Sequence, residues 1–483
     1  MKQAVVIMHG MGEQIPMQTL EGFVRSVWTM DETLVSRDKP DPETGAMRSR
    51  NTAWARPDKR NLTYELRRIT TESAADRRIT DFYEYYLADL MHGTTWAQVQ
   101  AWIAGLLWRN PWSRVPPRLI AVWVVLWIVT LLALGLTIWG MWPRESGPIG
   151  PLWAVGSGIG GLAVSAFIAN VLVKRFGDVA RYVKAAPPNV ARRQEIRRHG
   201  VELLESLTAS KSGDKPEYDR IIVVAHSLGT IVAYDILTQL FARHNKTLTA
   251  PAAQPERHAL EQMIRFAAGL PTARDTAAAN PVPLDIDAFQ AQQARALAEA
   301  RAQGSDWIVT DFVTLGSPLT HAEFLLANSP RDLADRQSTR VLPTCPPALE
   351  YDGTTKLRHF SYRTDSAPKD RPDNWRLPHH AALFAYTRWT NLYSDHRAIL
   401  WGDVISGPVG RAFGLTNGKV VVSGIRDIAV LPALDATGNP VTGMRRRFFT
   451  HNSYWQLDKG TEFGKPVVPH HIAQLRRALR LLD

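Results

Sequence analysis

Arg220-Ile221-Ile222-Val223-Val224-Ala225-His226-Ser227-Leu228-Gly229-Thr230 decides how this chain is read. Ile221 to Ala225 is a short, uninterrupted apolar run rich in β-branched side chains. Such a run lacks the alternation of a half-exposed strand and reads as a strand buried on both faces. From Leu228 to Phe241 the apolar positions recur at helical spacing. Between the two stands Ser227, with a small residue on either side at Ala225 and Gly229. A sharp, strained strand-to-helix turn needs small flanking residues, because larger side chains would collide across it. An ordinary turn that happened to hold a serine would not. The turn would raise Ser227 above the sheet, at the N-terminus of a helix, where the Leu228 backbone N–H can stabilise a developing oxyanion.

A second strand and turn supports the first. Gln3 to Met8 is another buried-strand run, and it ends in His9-Gly10-Met11-Gly12-Glu13-Gln14. Glycines there would let the loop approach a reacting carbonyl closely, and the Met11 backbone N–H is the expected second oxyanion donor, beside Leu228. His9 reads as an organiser of this loop and not as a base. Further segments alternate in type. Leu62–Thr71, Ile79–Leu87, Trp307–Leu315, Leu357–Tyr362 and Lys419–Val422 read as strand-like, and Trp96–Trp108 and Val190–Leu207 read as helical. Alternation of this kind predicts an α/β fold with a mostly parallel sheet. Residues 246–304, rich in Ala, Gln, Pro and Arg with a polar helix near Ala288–Arg301, read as a surface insertion.

A serine nucleophile needs a base and an acid later in the chain. Among 14 histidines, the pairs His379-His380 and His470-His471 compete with His451, in Phe448-Phe449-Thr450-His451-Asn452-Ser453-Tyr454-Trp455. His451 is favoured because it follows both acid candidates. These are Asp403, in a turn lined by small residues (Gly402-Asp403-Val404-Ile405-Ser406-Gly407), and Asp395, at the end of the strand-like run Trp389-Thr390-Asn391-Leu392-Tyr393. Asp403 is favoured and Asp395 is the alternative.

Two runs without a charge, Leu119–Trp142 and Ile149–Val173, are separated by a short loop that carries Arg144 and Glu145. They read as a transmembrane helical hairpin. Arg109, Arg114 and Arg118 before it and Lys174, Arg175, Arg181 and Lys184 after it would keep both ends on the cytoplasmic side. The expectation is therefore a two-pass inner-membrane protein, with a catalytic domain formed by residues 1–117 and 175–483 around a hairpin at 118–174. Gly156-Ser157-Gly158-Ile159-Gly160-Gly161 matches a dinucleotide-binding pattern, but it lies in mid-run with no βαβ context. Close packing of the two helices explains it better.

Net charge is +11, from 57 Lys+Arg against 46 Asp+Glu, which suits an anionic bilayer. No nucleic-acid-binding motif accompanies it, so no nucleic acid is expected as a partner. The single cysteine, Cys345, excludes an intramolecular disulfide. The first residues enter a strand directly, which does not read as a signal peptide. No metal and no organic cofactor is implied.

Taken with Thr314-Leu315-Gly316-Ser317-Pro318-Leu319, the segments quoted above resemble lipase- and esterase-type α/β-hydrolases, and more narrowly bacterial, membrane-anchored members of that superfamily. The resemblance implies an α/β-hydrolase-like sheet and a Ser227–His451–Asp403 set, since the acid of such proteins often sits in an Asp-x-Val turn, here Asp403-Val404. Ala225 departs from the usual first glycine of the serine turn, and the chain lacks the usual first two strands. The function expected is hydrolysis of carboxylic esters, and the membrane anchor points to lipid or lipid-like ones. The alternative is a catalytically silent scaffold of the same fold that holds a membrane partner.

Overall fold

The computed structural model describes residues 1–10, 15–35, 38–61, 65–87, 108, 110–115, 119–141, 182–183, 187–248, 252–271, 279–364, 374–396, 402–418, 420–430, 450–457 and 468–483. Its main sheet has eight strands. In chain order these are β1 (Lys2–Met8), β2 (Ala53–Pro57), β3 (Arg67–Thr71), β4 (Ile79–Tyr85), β5 (Arg220–His226), β6 (Val309–Leu315), β7 (Arg388–Tyr393) and β8 (Arg426–Ala429). Across the sheet they run β8-β7-β6-β5-β1-β4-β3-β2. Six are parallel, and β2 and β3 add an antiparallel edge. The fold is α/β with a mostly parallel sheet.

The central strands are apolar throughout because helices cover both faces. On β1, Ala4, Val6 and Met8 enter one core, joined by Ile221, Val223 and Ala225 of β5. Val5, Ile7, Ile222 and Val224 enter the other. Each such Val, Ile or Met side chain contributes about 1.5–3 kcal/mol when fully buried. A one-residue slip would send every one of them to the wrong face, so burial sets the register, with Met8 beside Ala225. Helix α1 (Gln18–Val24) closes the second core, α2 (Ile120–Met141) follows the first uncharged run, and α3 (Pro187–Thr208) and α4 (Leu228–His244) pack in the first core.

The two described helices within 246–304 do not form a separate surface layer. Helices α5 (Pro255–Ala267) and α6 (Ile286–Ala302) place Leu260, Ile264, Phe289, Ala296 and Leu297 in the same core as β5. Several of their polar residues, Arg257, Glu261, Gln290, Gln292 and Gln293, face inward too. Glu261 is fully buried and accepts from Ser361 Oγ at 2.7 Å, and it also meets Arg257 and His359. Composition suggested solvent exposure here, but polar groups can be buried when they satisfy one another's hydrogen bonds. A last helix, α7 (His470–Leu479), completes the second core.

The membrane reading is corrected. Among the described residues no helix is long and apolar enough to cross a membrane. The run at 149–173 lies outside the described residues, as do its glycines and the helix expected near Trp96. Of the first run, Leu119 and Trp123 pack against Val115 and Phe324 of the domain. Lack of charge is necessary for a span but does not make one, and here the start of the run serves packing. The two-helix hairpin at 118–174 and the two-pass inner-membrane location fall with this finding. The bilayer as partner and the lipid-like substrate, both drawn from that location, lose their basis.

Two of the strand-like runs form strands outside the main sheet. Val420–Val422 pairs with Leu415–Asn417 in a separate hairpin, and the last strand of the main sheet is β8 instead. Leu357–Tyr362 divides between two small hairpins outside the main sheet.

Candidate active site

After β1 the chain lays β2, β3 and β4 on one side of it, ending beside β1, and then β5 to β8 on the other. The crevice beyond the carboxyl ends of β1 and β5 is therefore a topological switch point, where open α/β sheets place ligands. Gly10 follows β1 and Ser227 follows β5, so the two meet there. A Cβ added at Gly10 would lie 2.5 Å from Ser227 Cβ and 3.0 Å from its Oγ.

Ser227 has φ 54° and ψ −131°, a left-handed backbone that costs a side-chain-bearing residue on the order of 1–3 kcal/mol. The surroundings hold it there. Its N–H donates to the Leu315 carbonyl at 3.1 Å. Its carbonyl accepts from Thr230 Oγ1 at 2.7 Å, and Thr230 Oγ1 pairs with Ser317 Oγ at 2.8 Å. Gly229 has a steric reason as well, since a Cβ there would stand 2.4 Å from the Met8 carbonyl oxygen. Leu228 opens α4, so its N–H has no acceptor within the helix and remains available to an oxyanion. Met11 lies outside the described residues.

His451 stands on the short turn Thr450–Asn452. Its Nε2 is 2.7 Å from Ser227 Oγ, and its Nδ1 is 3.0 Å from Asp403 Oδ2. Because the carboxylate only accepts, Nδ1 carries the proton and the Nε2 lone pair faces the serine hydroxyl. Asp403 is fully buried. Burial alone would raise its carboxyl. The neighbouring His451 and hydrogen bonds from His451, Tyr454 and Ser406 outweigh that and hold it below the usual carboxylate range. Tyr454 donates to Asp403 Oδ2 at 2.7 Å and itself accepts from the Ser394 N–H at 3.0 Å. Burial pushes the Tyr454 phenol well above its ordinary value, which keeps it a donor.

Of the residues read from the sequence, the structure thus brings Ser227, His451 and Asp403 together. Asp395, two residues past the end of β7, is exposed to solvent. Among the rival histidines, His379 bonds the Ala348 carbonyl and His471 the Gln456 carbonyl.

Several supporting residues escaped the sequence reading. Tyr454 is one, and His226, whose ring contacts His451, is another. Gly316 is a third. It has φ 58°, and a Cβ there would stand 2.6 Å from the Tyr454 ring and 3.2 Å from Asp403 Oδ2. The sequence held a signal for Tyr454 in a hydroxyl close behind the proposed base, but no local pattern says what that hydroxyl reaches.

Gly10→Ala is expected to slow reaction of Ser227 by about 10²-fold, the usual cost of an ångström of misplacement. Probe-labelling rates would measure it, and a wild-type rate would mean that the β1 end yields freely.

Beneath the Gly10 turn, buried His9 donates through Nδ1 to the Gly10 carbonyl at 3.2 Å, leaving the Nε2 lone pair facing Glu84 Oε1 at 3.5 Å. Glu84 Oε2 accepts from the Met17 N–H at 2.8 Å. Burial pushes the Glu84 carboxyl up to about 7, with the Met17 N–H opposing and Glu21 reinforcing the shift. The unfolded carboxyl titrates near 4.5, so between these values the folded chain holds a proton that the unfolded chain has lost. The stability contributed by this group falls as pH rises through that window. Burial drives His9, His226 and His379 down to about 4, 3 and 4, which slopes stability the other way up to about pH 6.5. Comparison with Glu84→Gln isolates the carboxyl. In urea titrations the Gln variant should gain on wild type by about 3 kcal/mol between pH 4.5 and 8. A difference independent of pH would mean that Glu84 titrates alike folded and unfolded.

Comparisons with protein-family models, with curated proteins and with solved structures give no match, so the reading of this site rests on its own geometry.

Proposed function

We propose that this chain is a serine hydrolase of the α/β-hydrolase kind, cleaving carboxylic esters or related acyl compounds through an acyl-enzyme on Ser227. The observation that supports it most is the unbroken line Ser227 Oγ–His451 Nε2 at 2.7 Å and His451 Nδ1–Asp403 Oδ2 at 3.0 Å, set at a switch point on a strained turn. A serine in a merely structural turn has no need of left-handed backbone, a base and a buried carboxylate at once.

In this mechanism His451 Nε2 takes the Ser227 proton as Oγ bonds to the acyl carbon. The carbonyl oxygen becomes an oxyanion, held by the Leu228 N–H and by the Met11 N–H expected from the sequence. The imidazolium then protonates the departing alcohol oxygen as the C–O bond breaks. Water, deprotonated by His451, attacks the acyl-enzyme and releases the acid and Ser227. Asp403 stays ionised throughout and stabilises the charged imidazole.

A fluorophosphonate probe on the whole chain tests the reading. Attachment to Ser227, found by peptide mass spectrometry and abolished by heat denaturation, is the expected result. No attachment to the folded protein would overturn the proposal and favour the silent scaffold.

A further inference from the structure

His226 lies between Ala225 and Ser227, buried at the end of β5. Its Nε2 is 2.7 Å from the backbone carbonyl oxygen of His451. A carbonyl only accepts, so Nε2 carries the proton and the ring can be a neutral donor. The ring centroid is 4.9 Å from that of His451, and Trp455 meets the His226 ring edge-on at 4.8 Å. The base itself stands on a three-residue turn, Thr450–Asn452, and not on a strand or a long helix. Its backbone therefore depends on contacts from elsewhere for its position.

We propose that His226 is a positioning residue that ties the backbone of His451 to the residue preceding Ser227, and so sets the distance between His451 Nε2 and Ser227 Oγ. This rests on the serine-hydrolase reading. The tie is direct, because the peptide unit that carries the donor is bonded to the peptide unit of the serine. Any movement of the strained turn is then shared by the base. Burial first, and then the nearby His451, hold the His226 ring at about 3. It stays neutral where His451 must become charged, whereas a second cation at this distance would oppose that step.

Three variants of the full chain test this with p-nitrophenyl acetate. His226→Phe keeps a ring and removes the donor, His226→Gln can place an amide N–H near the lost Nε2–H, and His226→Asn is too short to reach. The Phe and Asn variants should lose about 10²-fold in kcat with KM changed less than about threefold, and Gln should recover at least about tenfold of the loss. A Phe variant within about twofold of wild-type kcat, or a Gln variant no better than Asn, would overturn the proposal. Should Phe not fold, the Gln–Asn comparison decides.

The low-field proton resonance of the His451 Nδ1–H held by Asp403 separates this from the function itself, because it needs no turnover. If the wild type shows that resonance and the Asn variant loses it while neither cleaves an ester, the tether stands and the hydrolase reading fails. If the resonance is unchanged in the Asn variant, the tether is wrong.

Discussion

Ser227→Ala should lower ester turnover by about 10⁶-fold, the usual cost of removing a triad nucleophile, and should abolish probe labelling while the fold survives. Only a hydroxyl is removed, and the bonds that hold the turn, from the Ser227 N–H to Leu315 and from Thr230 to the Ser227 carbonyl, belong to the backbone. Alanine keeps a Cβ, however, so it keeps the strain of φ 54°. Glycine has no such penalty at this conformation. Ser227→Gly should therefore be equally inactive but more stable than Ser227→Ala by about 1–3 kcal/mol, read from urea midpoints. Turnover above a few per cent of wild type in either variant would remove Ser227 as nucleophile. Equal stability of the two would mean that the turn relaxes once the hydroxyl is gone.

The second large effect follows from the hydrogen bonds around Asp403. Oδ1 accepts from the Ile405 backbone N–H at 3.0 Å, while Oδ2 accepts from His451 and Tyr454. An asparagine must put its N–H₂ in one of these places. A backbone N–H cannot become an acceptor, but an imidazole and a hydroxyl can. The amide nitrogen of Asp403→Asn should therefore face His451, taking Nδ1 as acceptor and moving the ring proton to Nε2. That tautomer cannot receive the Ser227 proton. The expected loss is about 10⁴-fold in kcat with little change in KM. Asp395→Asn, at an exposed position, should stay within about threefold of wild type. The opposite ranking of the two variants would move the acid to Asp395.

The order of these two expectations reflects how differently serine and acid were legible. Ser227 is marked by neighbours in sequence: an apolar strand before it, a periodic helix after it, and small residues on both sides. The close approaches at Gly10 and Gly229 explain why glycine stands at each. Asp403 and Asp395 could not be separated with the same force from the chain alone, since each ends or follows a strand-like run. Their difference is one of depth. Gly316 leaves room for Asp403 beneath Tyr454, and Asp427 ties down the following loop through the N–H groups of Val409 and Gly410.

Apolar pattern does not say what a run will meet, and two runs show it. The uncharged run from Leu119 was read as a membrane span, yet its beginning packs on Val115 and Phe324. Val420–Val422 is a strand, as its apolar run suggested, but it pairs in a separate hairpin, and the main sheet closes on β8, which carries Arg426 and Asp427 and is only partly buried. Half-exposed edge strands lack the continuous apolar signature by which β1 and β5 were found.

By itself, then, the sequence determined the α/β alternation, the two buried central strands and the serine turn, because each depends on residues within a few positions of one another. Only the tertiary structure decided how Asp403 is buried, where His451 is held, which strand closes the sheet and that helices α5 and α6 belong to the core. Each of these depends on groups that meet across tens to hundreds of residues, as Ser227 and His451 do, and no local periodicity encodes such meetings.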